Sequence, residues 1–88
     1  MNYRTLERRV KGFANHRRIQ ILELLRKMPE LSVDEIARAL EINFKTASDH
    51  IRRLAIAGLV LKRNEGNEVR HKLTSRAESV LKFLRILE

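Results

Sequence analysis

The chain has 88 residues, no cysteine, one proline and a formal net charge of +8, with a pI near 10.9. One small domain over residues 1–88 is expected, without disulfides, thiolate metal sites or a run of about 18 apolar residues able to span a bilayer. The basic balance favours a polyanionic partner and is uneven: residues 1–30 carry eight Lys/Arg against three acids, 31–58 four against four, and 59–88 seven against four.

In chain order, Tyr3, Leu6, Val10 and Phe13 recur at spacings of three and four, predicting an amphipathic helix that ends near Gly12 to Ala14. Met1 to Glu7 lack the apolar core of a signal peptide, so no leader is expected there. Asn15 is placed to cap a second helix. Its apolar set is Ile19, Leu22, Leu25 and Met28, widened by Ile21 and Leu24, and Pro29 ends it. Leu31 is either a brief strand or a staple residue. Ser32-Val33-Asp34-Glu35 reads as a capping box, opening a short third helix with Ile36, Ala37 and Leu40 inward.

Glu41 and Ile42 form a tight turn, and Asn43 caps a fourth helix whose core arc is Ala47, Ile51, Leu54 and Gly58. Gly58 supplies a left-handed terminus. Leu59 to Arg63 and Val69 to Leu73 are predicted as antiparallel strands around a turn at Asn64 to Glu68. Thr74 or Ser75 caps a last helix running to Glu88, with Ala77, Val80, Leu81, Leu84 and Leu87 apolar. The fold class is therefore mainly α with a two-stranded β-hairpin: a helix-turn-helix to which a wing is appended.

This architecture suits duplex DNA. A helix over 43–58 can enter the major groove while a basic wing over 59–74 reaches the flanking backbone or minor groove. With Ala47 at the centre of the buried face, Lys45, Asp49, Arg52 and Ile56 point outward, and Thr46 and Ser48 lie to the sides. Lys45 and Arg52 can donate to guanine, and Thr46 and Ser48 to base or phosphate. Asp49 can accept from cytosine or pair with Arg52 or Arg53 on its own helix, and the pairing is favoured.

In the wing, Arg63, Asn64, Asn67, Arg70 and Lys72 are donors. Alternation sets Arg70 and Lys72 on one face and Val69, His71 and Leu73 on the other. Arg17 and Arg18 lie near the start of the second helix, able to touch phosphate or pair internally.

Two segments resemble the ArsR-type winged-helix repressors. Phe13-Ala14-Asn15-His16-Arg17-Arg18-Ile19-Gln20-Ile21-Leu22 resembles their opening Leu-Ala-Asp-Pro-x-Arg-x-x-Ile-Leu. Ser48-Asp49-His50-Ile51, Leu54 and Ala57-Gly58-Leu59-Val60 resemble their Ser-x-His-Leu-x-x-Leu-x-x-Ala-Gly-Leu-Val segment. The resemblance implies a homodimer that binds a partly palindromic operator, as a repressor does; with no cysteine in the chain, a cytoplasmic, nucleoid-associated prokaryotic regulator is expected. His50 matches the family's His, either as a DNA contact or as a brace for its helix.

Metal-sensing members open the third helix with Cys-Val-Cys, where this chain has Ser32-Val33-Asp34, and carry Asp and His pairs in the last helix, where residues 75–88 have neither. No metal and no cofactor are therefore expected, and the sequence leaves open whether a small-molecule effector is sensed. Phe83 and Ile86 lie off the core stripe of the last helix, and a two-fold interface of the first and last helices would cover them: Leu6, Val10, Val80, Phe83, Leu84 and Leu87.

A winged-helix module for protein or RNA remains the alternative, since fold does not fix function. Catalysis is not expected, because the chain lacks a nucleophilic Cys, a Gly-rich phosphate loop and a clustered carboxylate–His site.

Overall fold

Residues 1–88 are described by a computed structural model. In chain order they form α1 (Tyr3–Phe13), α2 (His16–Lys27), α3 (Val33–Leu40), α4 (Phe44–Ile56), β1 (Val60–Glu65), β2 (Glu68–Leu73) and α5 (Ser75–Leu87). Helices α3 and α4 form the helix-turn-helix, and β1 and β2 form the wing as an antiparallel pair running from Val60↔Leu73 to Glu65↔Glu68.

Side chains fix each helix start. Asn2, Asn15, Asn43 and Thr74 accept backbone N–H groups of the first turns of α1, α2, α4 and α5. Ser32 and Glu35 close a reciprocal capping box on α3: the Glu35 N–H donates to Ser32 Oγ at 3.2 Å, and the Ser32 N–H donates to Glu35 Oε1 at 2.9 Å. Helix α4 ends in a Schellman motif. Gly58, at φ 76°, donates its N–H to Ala55 O at 3.0 Å, and Leu59 donates to Leu54 O at 2.9 Å. This stop turns the chain from α4 straight into β1.

The core lies where α2, α3, α4 and α5 converge on the base of the wing. Ile21, Leu22, Leu25, Ile36, Ile51, Leu54 and Leu59 are fully buried, and Ala77 and Leu81 close it from α5. Each large aliphatic side chain contributes roughly 1.5–3 kcal/mol on burial. Helix α1 buries none of its residues. It lies against the end of α4, where a Cβ on Gly12 would come within 2.5 Å of Ala57 Cβ, so only glycine lets the two helices approach this closely.

Two expectations need correction. Met28 is 53 % exposed instead of joining the α2 face, because it is the C-cap residue and its φ of −133° has already left the helix. The strands run longer than expected and the turn is two residues, not five. Gly66, at φ 62°, serves as the first central residue of a type II′ turn, which admits Asn64, Glu65 and Glu68 to the ladder. Of the two alternatives for Leu31, the structure shows the brief strand: it forms an isolated bridge with His71, so the segment between α2 and α3 adds one residue to the edge of the wing.

Candidate nucleic-acid interface

The outward face of α4 is set by its cap and its core stripe. Asn43 Oδ1 accepts from Lys45 N at 2.7 Å and Thr46 N at 3.3 Å, fixing the first turn. Ala47, Ile51 and Leu54 hold the opposite face in the core. Lys45, Thr46, Ser48, Arg52, Arg53 and Ile56 are exposed, and Asp49 and His50 are half-buried. Lys45 takes no part in any ion pair or side-chain hydrogen bond, and is free to contact a ligand.

Asp49 adopts the pairing expected of it. Arg52 Nη2 donates to Oδ1 at 2.7 Å and Arg53 Nε to Oδ2 at 3.2 Å. These bonds, that of Arg52 first, hold the Asp49 carboxyl below the usual carboxylate range. The carboxylate therefore stays ionised and orients two guanidinium groups on the helix face. The pairs are exposed, so they contribute little to stability.

His50 sits where α2 and α4 meet. Its Nδ1 is 3.4 Å from Arg18 Nη1, and Arg18 Nη2 donates to Lys11 O at 3.3 Å. Arg18 thus links the end of α1 to α4. Burial, then the neighbouring Arg18 charge, pushes the His50 pKa down, favouring a neutral ring at pH 7. This geometry fits a brace between helices. Arg17 donates to Gln20 Oε1 on its own helix.

The wing is anchored firmly to the body. Glu30 N donates to His71 O at 2.9 Å, His71 N donates to Leu31 O at 3.1 Å, and Arg70 Nη1 donates to Glu30 O at 3.0 Å. His71 is 1 % exposed, and its Nδ1–H donates to Leu31 O at 2.8 Å. Its Nε2 has no partner, and burial pushes its pKa down, so the ring is held neutral.

Register places Arg63 opposite Arg70 and Glu65 opposite Glu68. Like charges directly opposite one another are unfavourable, and unlike-charge pairing offsets this. Arg63 Nη2 lies 2.9 Å from Glu65 Oε2 and 3.3 Å from Glu30 Oε2. Arg70 Nη2 lies 2.7 Å from Glu68 Oε2, and its Nε lies 3.1 Å from Glu65 Oε2. Both arginines expected as DNA donors are thus engaged with glutamates at the tip. Asn67 is exposed at the turn, and Lys62 and Lys72 are exposed without a partner.

One basic feature was missed in the sequence. Between α1 and α4 runs a cleft of about 500 Å³, lined by Thr5, Arg8, Arg9, Lys11 and Gly12 of α1 and by Arg52, Arg53, Ile56 and Ala57 at the end of α4. The Arg8-Arg9 pair and Gly12 were the available signal. Their significance depends on α1 packing against α4, which helical periodicity alone does not give.

Of the residues expected at a dimer interface, Leu6, Val10, Phe83 and Leu87 are exposed, together with Tyr3 and Ile86. Val80 and Leu84 pack partly against the core of their own chain. No helix is long and apolar enough to cross a membrane, and no group of three or more His, Cys, Asp or Glu is placed to hold a metal ion.

Residues 15–62 match the model of the bacterial regulatory protein family arsR. The HTH-type transcriptional regulator Rv0324 of Mycobacterium tuberculosis is 41 % identical over 63 residues, covering 72 % of this chain and 27 % of that protein. The transcriptional activator HlyU of Vibrio cholerae is 41 % identical over 66 residues, covering 75 % of this chain and 60 % of HlyU. The match therefore spans less than two thirds of either relative's length.

Among solved structures, the homodimeric winged helix-turn-helix DNA-binding domain of Mb0332 from Mycobacterium bovis superposes with a TM-score of 0.87 at 31 % identity, covering 97 % of this chain and 79 % of that one.

Proposed function

The chain belongs to the arsR family of bacterial regulatory proteins, and from that premise we propose that it is a sequence-specific duplex-DNA-binding transcriptional regulator. It acts in the cytoplasm at the nucleoid, and residues 1–88 form one winged helix-turn-helix DNA-binding domain. As a homodimer it occupies a partly palindromic operator and represses by excluding other proteins from that site. The observation that carries this reading is the outward face of α4: a capped helix whose Lys45, Thr46, Ser48 and Arg52 are exposed beside a rigidly anchored wing.

In this reading α4 enters the major groove. Lys45 and Arg52 address guanine edges, Thr46 and Ser48 bond base or phosphate, and Asp49 orients Arg52 and Arg53. His50 braces α4 from α2. The wing offers Lys72 and Asn67 to the flanking backbone, while Arg63 and Arg70 chiefly shape its tip. A second copy covers Leu6, Val10, Phe83 and Leu87, with Val80 and Leu84 at the edge. The homodimeric state of the Mb0332 domain supports this arrangement, and a two-fold protein matches a two-fold operator.

The test is selection of bound fragments from genomic DNA, followed by affinity measurement on the recovered site and on random duplex at rising salt. The expected result is tighter binding to the selected site, and a steep fall with salt on both. Equal affinity for the two would remove the sequence-specific reading, and a flat salt response would remove the DNA reading.

A further inference from the structure

We propose that the cleft between α1 and α4 is a seat for the DNA backbone, in which Arg8 and Arg9 hold phosphates beside the groove that α4 enters. The inference rests on the duplex-DNA reading and extends the interface to a helix that reading assigns only to dimerisation.

The first observation is the state of the charges. Arg8, Arg9, Lys11, Arg52 and Arg53 line the cleft, and no carboxylate lines it. Lys11 is paired with Glu7 at 3.4 Å, and Arg52 and Arg53 share Asp49. The side chains of Arg8 and Arg9 make no hydrogen bond or ion pair within the chain. Five cations against the two carboxylates of Glu7 and Asp49 leave an excess of three positive charges at the cleft, which a bound anion would offset.

The second observation is position. One wall of the cleft is α4 itself, and Arg52 belongs both to the outward face of α4 and to the cleft. A duplex that places α4 in its groove therefore has its backbone within reach of the same cations. Gly12, packed on Ala57, draws α1 close enough for its arginines to join those of α4.

The third is the division of α1 into two faces. At about 100° per residue, Tyr3, Leu6 and Val10 form one stripe, exposed and apolar, while Thr5, Arg8, Arg9 and Gly12 turn towards α4. The same helix can meet a partner subunit with one face and DNA with the other. The chemistry of the lining favours a phosphodiester over a small effector. Small-molecule sites enclose their ligand among apolar walls with a few convergent polar groups, whereas this cleft is open and walled by long cationic side chains.

The test measures affinity for a fluorescein-labelled random-sequence duplex across a salt series, with the full chain, the R8Q/R9Q variant and a K27Q/K82Q control. The control removes the same charge at residues outside the cleft. Each phosphate contact contributes about 0.9 to the slope of log affinity against log salt, so R8Q/R9Q is expected to flatten the slope by about 1.8 per protomer bound, about 3.6 for the homodimer. The single variants R8Q and R9Q should each flatten it by about half as much, and K27Q/K82Q should leave it near wild type.

Arg8 and Arg9 are exposed and without partners, so the thermal midpoint should hold. A slope in R8Q/R9Q equal to that of the control overturns the proposal while the duplex-DNA reading stands. Wild-type protein with no salt-dependent binding overturns both.

Discussion

In the wing, every arginine has a glutamate within reach: Arg63 has Glu65 and Glu30, and Arg70 has Glu68, Glu65 and, at 3.8 Å, Glu35. In the cleft between α1 and α4, Arg8 and Arg9 have none. The two regions look alike in composition, since each offers basic side chains beside α4. They differ in what those side chains have left to bind.

The wing arginines neutralise a tip that would otherwise present two opposed glutamates to DNA, and Arg70 also fastens the hairpin to Glu30 O. The cleft arginines have no such duty. A cation contributes to phosphate binding according to what it must release first, so a count of arginines is a poor guide to where a duplex is gripped.

The largest expected effect tests whether these regions act in pairs across a two-fold axis. Phe83→Glu sets a charge in the exposed apolar face of α5. It should yield monomers by sedimentation and lower affinity for a two-half-site duplex by about a hundredfold or more, as linked binding is lost. An unchanged dimer mass would contradict the assignment of that face.

Next, Arg70→Met should reveal the structural duty of a wing arginine. With the bond to Glu30 O gone, stability measured by urea denaturation should fall by about 1–2 kcal/mol. An unchanged midpoint would mean that Arg70 is not part of the anchor.

A smaller gain is expected from Glu65→Gln/Glu68→Gln. Freed from these glutamates, Arg63 and Arg70 should bind random duplex roughly threefold to tenfold more tightly, with a steeper salt slope. No change would show that the pairing does not hold these arginines back.

The smallest effect is on pH dependence. Burial lowers the folded-state pKa of His71, and that of His50 moves the same way. The unfolded chain then binds more protons than the folded one, so this stability is fully present above the unfolded value of about 6.5 and is lost as pH falls through the folded pKa. The urea midpoint should therefore fall between about pH 7.5 and about pH 5.5, less so in His71→Asn. Asp49, Glu35 and Glu23 are shifted down from the carboxylate range, so their contribution is lost only at lower pH. Equal loss in wild type and His71→Asn would exclude the buried ring as the cause.

Local signals carried most of the fold. Asn15, Ser32, Asn43 and Thr74 cap their helices through bonds within three residues, and the Ala57-Gly58-Leu59 stop of α4 is a local backbone motif. The pairing of Asp49 with Arg52 and Arg53 was legible for the same reason. Most of what eluded the sequence was non-local. The engagement of Arg70 by Glu30 spans 40 positions, and the meeting of Arg8 and Arg9 with Arg52 and Arg53 depends on a helix packing that Gly12 permits but does not announce. The short turn at Gly66-Asn67 was missed because polar residues that read as loop, Asn64, Glu65 and Glu68, continue the ladder.

The contrast between the two regions is tested most directly by one salt series on random duplex with wild type, R8Q/R9Q and the charge-neutral pair R63Q/E65Q. If the cleft holds phosphate and Arg63 does not, R8Q/R9Q flattens the slope by about 1.8 per protomer bound while R63Q/E65Q leaves it unchanged. A slope flattened by R63Q/E65Q and untouched by R8Q/R9Q would contradict the account.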